Sequence, residues 1–217
     1  SRGLGDVYKR QQRNSLLKQL AYNKSLMDTL EVWDDQLVLY GSRVIEERER
    51  FVRMMNEIIY DIHYNLTSGK EKLEIVYEKS VEADKFKNTL IDKKNVDLNY
   101  TSTQTGPHRD DISFLINGID ARKFGSQGQQ RTAALSLKLS EIELVKKMTK
   151  DTPVLLLDDV LSELDSNRQN YLLNSIGDIQ TIITCTGLDD FVNNRFEINK
   201  VFRVANGTVD AGQNGGI

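Results

Sequence analysis

The first third of the chain repeats apolar side chains at the period of an α-helix. Steps of three, four or seven residues separate Trp33, Leu37, Tyr40, Val44, Phe51, Met55, Ile58, Ile62 and Leu66. This spacing predicts one apolar face on a helix. We expect a short helix at Gln12–Tyr22 and a long one at Leu26–Leu66, with Gly41 as its weakest point. The long helix would measure about 60 Å and needs a partner, of which the short helix offers only part.

A second pattern lies in the carboxyl-terminal half. Residues 154–157, Val-Leu-Leu-Leu, form an unbroken apolar run that ends in Asp158 and Asp159. A run without polar alternation predicts a strand covered on both faces, as in a parallel sheet between helices. Another buried strand is predicted at Gln180–Cys185. Open α/β sheets bind ligands at the carboxyl edge of their strands, and the two carboxylates should lie there.

Shorter elements fill the space between these regions. Asn117-Gly118 and Asn206-Gly207 are strong hairpin signals. The remaining expected elements are a strand at Leu73–Glu78, a helix at Glu82–Lys93, a polar connection at Asn95–Thr105, strands at Ile112–Ile116 and Ile119–Lys123, a helix from Ser126 to about Lys150 with Ala133, Leu137, Ile142, Leu144, Val145 and Met148 inward, a helix at Asn167–Ile176, and a last hairpin formed by Val201–Val204 and Thr208-Val209.

Two adjacent carboxylates repel each other unless a cation lies beside them. A hydrated Mg²⁺ carried by a nucleotide fits, because it binds through one or two carboxylates plus phosphates. We interpret Asp158 as the metal ligand and Asp159 as the residue that orients or deprotonates an attacking water. An acidic loop after a core strand is the alternative interpretation of the same run.

Ser126 and Gln129 have the spacing of a capping box, in which each side chain bonds the backbone N–H of the other residue. Gly128 between them allows close approach to the backbone. The start of a helix presents free N–H groups and the positive end of the helix dipole, so it favours anions. An ordinary capped helix is the alternative.

Composition adds few constraints. Hydrophobic residues make up 39% and charged residues 28%, with a net charge of −3, which is ordinary for a soluble globular protein. Neither 12–105 nor 106–217 is basic overall, so composition does not indicate nucleic-acid binding. The single cysteine, Cys185, excludes an internal disulfide and agrees with a cytoplasmic location. No stretch is long and apolar enough to span a membrane.

The order of the motifs resembles that of a known family. Ser-x-Gly-Gln at 126–129, a long helix, an apolar strand with two acids and Leu161-Ser162-Glu163-Leu164-Asp165 together resemble the carboxyl lobe of an ABC-type ATPase head. Gly106-Pro107-His108-Arg109-Asp110-Asp111 narrows the resemblance to the RecF family, relatives of the SMC proteins. Transporters of the ABC type usually have Leu-Ser-Gly-Gly-Gln at the first motif, so the departure here argues against a transporter.

This resemblance implies an α/β fold, the carboxyl lobe of an ABC/SMC-type P-loop ATPase head with a helical arm domain. The arm would occupy 12–105 and the lobe 106–217, with its signature, Walker B and D-loop motifs. The residues implied to contact nucleotide are Ser126, Gln127, Gly128 and Gln129, which would reach the γ-phosphate held by an opposite subunit, and Asp165. A γ-phosphate sensor is implied at Thr186 or Thr184. Because a hydroxyl is a poor base, Asp159 is the better base.

The family resemblance also implies a function. The intact protein would bind ATP and Mg²⁺, form a homodimer, hydrolyse ATP slowly and bind DNA at single-strand/double-strand junctions. With RecO and RecR it would help to load RecA onto gaps during repair, recombination, replication and the SOS response. The alternatives are another SMC-like ATPase, of the RecN or overcoming-lysogenisation type, and a non-hydrolysing ATP-gated DNA clamp. Asp159 argues against the clamp.

Three further expectations concern single segments. Residues 1–11 resemble a translated sequencing-library adapter and would then lie outside the natural fold. No G-x-x-x-x-G-K-[ST] motif occurs, so we expect the phosphate loop upstream and no ATPase activity from this chain alone. The roles of His108 and Arg109 stay open between phosphate, a partner's carboxylate, and an ion pair with Asp110 or Asp111.

Overall fold

The computed structural model describes residues 2–185 and 200–211. The chain forms two compact units, Ser1–Leu144 and Val145–Ile217. The helices of the first unit, with α6 running past its end, are α1 (Arg2–Leu20), α2 (Thr29–Leu66), α3 (Phe86–Asp92), α4 (Lys94–Tyr100), α5 (Ala121–Phe124) and α6 (Gln127–Thr149). No described helix is long and apolar enough to cross a membrane.

Helix α1 covers part of the apolar face of α2. Leu16, Leu17 and Leu20 of α1 form a buried cluster with Leu30 of α2. The helix begins at Arg2 rather than at Gln12, and Lys9 Nζ lies 5.6 Å from the centre of the Trp33 ring of α2. Whether residues 1–11 derive from an adapter stays a prediction.

The first sheet is antiparallel and contains β1 (Leu73–Glu78), β2 (Asp111–Ile116) and β3 (Ile119–Asp120). The predicted turn is confirmed, since Asn117 and Gly118 have φ values of 51° and 80°. The returning strand is shorter than predicted. Asp120 caps α5 by accepting hydrogen bonds from the N–H groups of Arg122 and Lys123, so a helix begins where a strand was expected.

Strand β1, strand β2 and the second half of α2 share one core with α5 and α6. Its buried members are Val52, Met55, Ile58, Ile59, Leu73, Ile75, Ile116, Ala121, Ala133 and Leu144. The compact units therefore divide after Leu144, whereas the predicted boundary between arm and lobe lay after Thr105. The physical reason is that β2 pairs with β1 along its whole length.

Two expectations for the helices need correction. Residues 94–100 form α4 within the predicted polar connection, because its inward side chain, Asp97, is polar and the helix therefore lacks an apolar periodicity. In α6, Ala133, Ile142 and Leu144 are buried as predicted, but Val145 and Met148 are exposed. Those two residues follow Leu144, the last residue of the first unit.

In the second unit, β4 (Leu155–Asp158) pairs in parallel with β5 (Thr181–Thr184), as predicted. Helix α7 (Ser166–Ser175) lies between them in sequence, and β6 (Phe202–Ala205) and β7 (Thr208–Ala211) form the expected hairpin. Leu157 is buried, but Leu156 is 69% exposed. Within the described residues only one face of β4 is covered, whereas we expected both faces to be covered. An apolar run shows that a strand can be buried but not which element buries it.

Candidate functional site

The carboxyl ends of β4 and β5 bring three polar residues together. Asp158 and Thr184 are the last residues of the paired strands and lie opposite each other. The Thr184 hydroxyl donates to Asp158 Oδ1 at 2.5 Å. The backbone N–H of Asp159 donates to the Thr184 carbonyl oxygen and hydroxyl, each at 3.1 Å. The predicted cluster at this edge is therefore assembled by strand pairing.

Asp159 has a backbone conformation that few residues adopt. Its φ is 50° and its ψ is 19°, in the left-handed region, where aspartate and asparagine are enriched among residues other than glycine. This conformation ends the strand and begins the 3₁₀ turn Val160–Glu163. Both Asp158 and Asp159 are exposed to solvent. The turn therefore leaves two carboxylates accessible at the strand edge.

The residues at this edge fit a hydrated Mg²⁺ that brings phosphate ligands with it. Asp158 uses Oδ1 for the Thr184 hydroxyl, and the contact fixes the orientation of the carboxylate. No group of three or more His, Cys, Asp or Glu residues that could hold a metal occurs among the described residues. An ion here would take one or two carboxylate ligands and would complete its shell with phosphate and water.

The start of α6 has the predicted capping box. The Ser126 N–H donates to Gln129 Oε1 at 2.9 Å, and the Gln129 N–H donates to Ser126 Oγ at 3.2 Å. Ser126, Gln127 and Gly128 are exposed. Gln127 and Gly128 are the first residues of α6, where the backbone N–H groups of a helix have no partner within the helix. This end of α6 can therefore bind an anion.

Gly125 and Gly128, on either side of the start of α6, have different structural roles. A Cβ on Gly125 would lie 2.5 Å from the Ala121 carbonyl oxygen, so the turn between α5 and α6 excludes any side chain there. A Cβ on Gly128 would meet only Ser126 Oγ, at 3.9 Å. The space beside Gly128 is therefore open, and a group from outside the chain can approach the backbone.

Comparison with known proteins identifies the family. No protein-family model matches the chain. It is 62% identical over 201 residues to the DNA replication and repair protein RecF of Lachnoclostridium phytofermentans, and 61% identical over 199 residues to that of Agathobacter rectalis. These alignments cover 93% and 92% of this chain. The chain belongs to the RecF family. It spans about 55% of the length of these relatives.

Solved RecF structures share the fold. The structure of the recombination mediator protein RecF with ATP, in the RecFOR pathway, matches with a TM-score of 0.85 at 40% sequence identity. The match covers 97% of this chain and 57% of that one. A second structure of the same mediator, with an ATP analogue, gives a TM-score of 0.82. The predicted carboxyl lobe with a helical arm is thereby confirmed as the fold class.

Asp165, predicted from the RecF resemblance to contact nucleotide, is the N-cap of α7. Its carboxylate accepts from the Arg168 N–H at 3.0 Å and from Arg168 Nη1 at 2.5 Å. The backbone hydrogen bond from Arg168 lowers the pKa of Asp165 below its usual value. Its nucleotide role stays a prediction, and so does that of Thr186, which lies outside the described residues.

The Gly106–Asp111 motif of the RecF resemblance forms a tight turn. His108 Nε2 lies 3.0 Å from the Thr103 carbonyl oxygen, and burial lowers the pKa of His108. Arg109 is exposed, and its Nη2 donates to Gln104 Oε1 at 3.0 Å. The described partner of Arg109 is therefore an amide, not the carboxylate of either neighbouring aspartate.

Those two aspartates have other partners. Asp110 accepts hydrogen bonds from the Tyr77 hydroxyl and, at 2.8 Å, from the Ser80 N–H. Arg48 Nη1 of α2 lies 3.6 Å from Asp110 Oδ2. Asp111 Oδ2 is 3.8 Å from Arg122 Nη1. Asp110 therefore ties this turn to β1 and α2, a structural role that sequence reasoning did not identify.

Proposed function

We propose that this chain supplies the helical arm and carboxyl lobe of an ATP-dependent, dimerising RecF protein of DNA repair and recombination. Support comes from the 62% identical relative, named a DNA replication and repair protein, and from the structural neighbour, named a recombination mediator with ATP. We call the longer protein, with an upstream lobe that carries the phosphate loop, the full-length protein.

The strand edge would perform the chemistry on the nucleotide. ATP with Mg²⁺ would supply the phosphoryl group and the metal ion. Asp158, oriented by Thr184, would hold the metal through its carboxylate. Asp159 would orient a water molecule and accept its proton. Slow hydrolysis then returns the dimer to its open state.

The observation that carries the proposal is the exposed, reciprocally capped start of α6. Ser126 Oγ accepts the cap bond from Gln129, and a hydroxyl that accepts can still donate its own proton. With the backbone N–H groups of Gln127 and Gly128, it offers donors to a terminal phosphate. We propose that this phosphate belongs to ATP held by a second copy of the protein.

The partners of the full-length protein follow from the family and are part of the proposal. They are DNA at single-strand/double-strand junctions, RecO and RecR, and indirectly RecA. The pathway named for the structural neighbour contains RecO and RecR. The proposed location is the cytoplasm.

The test is sedimentation of the full-length protein with ATP and Mg²⁺, comparing wild type with Ser126→Ala. We expect the variant to lose about 1 kcal/mol of stability, as for a lost cap, to bind ATP normally as a monomer, and to lose ATP-driven dimerisation. Asn23→Ala removes another exposed cap, a bond from the Ser25 N–H at 3.0 Å, and should dimerise normally. Normal dimerisation of Ser126→Ala would reduce Ser126 to a cap and contradict the proposal.

A further inference from the structure

The side chain of Gln129 is held at both ends. Its Oε1 accepts from the Ser126 N–H at 2.9 Å, inside the capping box. Its Nε2 donates to Glu71 Oε1, also at 2.9 Å. Glu71 lies 58 residues earlier, in the connection between α2 and β1. Gln129 therefore joins the start of α6 to a segment outside the predicted signature motif.

Glu71 is itself fixed by the end of α2. Its N–H donates to Thr67 Oγ1 at 3.2 Å, and that hydroxyl donates to the His63 carbonyl oxygen at 2.8 Å. Glu71 Oε2 lies 3.4 Å from His63 Nε2. The Glu71 side chain is 19% exposed and that of His63 is fully buried. The carboxylate is thus held between a buried ring and the Gln129 amide.

His63 also contacts helix α6, through Ser136. Ser136 Oγ donates its only proton to the Thr132 carbonyl oxygen at 2.7 Å. It must therefore accept from His63 Nδ1, which is 2.8 Å away. The other ring nitrogen, Nε2, lies 3.4 Å from Glu71 Oε2. His63 therefore lies between the Glu71 carboxylate and Ser136 of α6.

We propose that Glu71 is a positioning residue for the signature loop: it fixes the Gln129 amide so that the start of α6 is presented correctly to the nucleotide of a second subunit. His63 secures Glu71 and, through Ser136, also contacts α6. This inference rests on the proposed function, because it assigns a purpose to Gln129 in the dimer.

The test uses the full-length protein and measures ATP-driven dimerisation by sedimentation, ATP affinity of the monomer, and the melting temperature. We expect Glu71→Ala to weaken dimerisation about tenfold or more, since small misplacements of a binding group have effects of this size, while monomer ATP affinity stays unchanged. Glu71→Gln should dimerise like wild type, because its carbonyl oxygen still accepts from Gln129. The matched control is Glu74→Ala, which removes an exposed carboxylate on β1.

A double variant separates positioning from general stability. In a Gln129→Ala background, Glu71→Ala should weaken dimerisation no further. If Glu71→Ala does not fold, Glu71→Asp decides, since it keeps the charge but falls short of Gln129 and should weaken dimerisation. Three results would each overturn the inference. The first is wild-type dimerisation by Glu71→Ala or Glu71→Asp. The second is a further loss of dimerisation when Glu71→Ala is added to Gln129→Ala, and the third is a defect in Glu71→Gln equal to that of Glu71→Ala.

The same experiment distinguishes failure of this inference from failure of the proposed function. If wild type does not dimerise with ATP, or Ser126→Ala dimerises normally, the proposed function fails. If wild type dimerises, Ser126→Ala does not, and Glu71→Ala does, only the role of Glu71 is wrong.

Discussion

Two groups of acidic side chains differ in how the chain satisfies them. In the first unit, Asp34 and Asp97 flank Arg13, whose side chain is fully buried. Arg13 Nε lies 2.5 Å from Asp34 Oδ1, and Nη1 lies 2.7 Å from Asp97 Oδ2. In the second unit, Asp158 is exposed and its described partner, the Thr184 hydroxyl, carries no charge.

The Arg13 cluster pairs its charges within the chain. Arg13 of α1 connects Asp34 of α2 with Asp97 of α4 and also donates to Thr103 Oγ1 at 2.8 Å. Desolvation raises the pKa of Asp34 in spite of the neighbouring Arg13 charge. Buried charges need such partners because desolvation is costly. This cluster connects three helices through one buried side chain.

The strand edge shows the opposite arrangement. Two carboxylates stand next to each other in solvent, oriented by a hydroxyl and a left-handed backbone turn. Because both residues are exposed, they need no buried counter-ion for stability. Charges paired inside the chain therefore maintain the fold, whereas the oriented and exposed carboxylate of Asp158 stays accessible to a ligand.

Removing the proposed base should have the largest effect. Asp159→Asn in the full-length protein should slow ATP hydrolysis about 10²–10⁴-fold, because it removes the acceptor of the water's proton, and should leave ATP binding intact. Steady-state turnover and a binding titration check both parts. Asp178→Asn, at an exposed position of the same unit, is the control. Wild-type turnover by Asp159→Asn would show that Asp159 is not the base, whereas no turnover by the wild type would favour the non-hydrolysing clamp.

Removing Arg13 should lower the unfolding free energy of the first unit. Arg13→Met leaves Asp34 and Asp97 buried without their cation, which should cost about 3–5 kcal/mol of unfolding free energy. Urea unfolding of the 217-residue chain, followed by fluorescence of its single tryptophan, Trp33, measures this loss.

A surface ion pair provides the contrast for that measurement. Lys138 and Glu141 form a 2.9 Å contact with side chains 70% and 41% exposed. Lys138→Met should cost less than about 1 kcal/mol. If Lys138→Met and Arg13→Met lose the same unfolding free energy, the distinction between buried and exposed charges is refuted.

Removing the hydroxyl that orients Asp158 should have a smaller effect. Thr184→Val keeps the shape of the side chain but breaks its bond to the carboxylate. Groups that orient a metal ligand typically contribute about 10–100-fold in metal affinity, so Mg²⁺-dependent ATP binding should weaken in that range. Thr181→Val, at the opposite end of β5, should leave it unchanged. An unchanged Mg²⁺ response in Thr184→Val would show that the hydroxyl does not prepare the site.

Local patterns explain which features the sequence could predict. The Ser126–Gln129 capping box and the Asn117-Gly118 turn depend on neighbours within a few residues, and both are confirmed. The strand ending at Asp158 follows from its apolar run and is also confirmed.

Long-range contacts explain the rest. Nothing near Gln129 in the sequence indicates that Glu71 binds it, since 58 residues separate the two. Helix α4 was missed because its inward residue, Asp97, binds Arg13 across 84 residues. Thr184 emerged as the partner of Asp158 only from the strand register. Residue type and spacing locate candidates, but pairing partners depend on tertiary packing.

The most direct test of the central claim is removal of the metal and its proposed ligand. ATP affinity of the full-length protein is measured with Mg²⁺ and with the metal chelated, for wild type and Asp158→Asn. We predict that chelation weakens ATP binding by wild type, and that Asp158→Asn binds weakly in both conditions. If Mg²⁺ strengthens ATP binding by Asp158→Asn as much as it does for wild type, the claim that this exposed carboxylate edge binds a nucleotide's metal is contradicted.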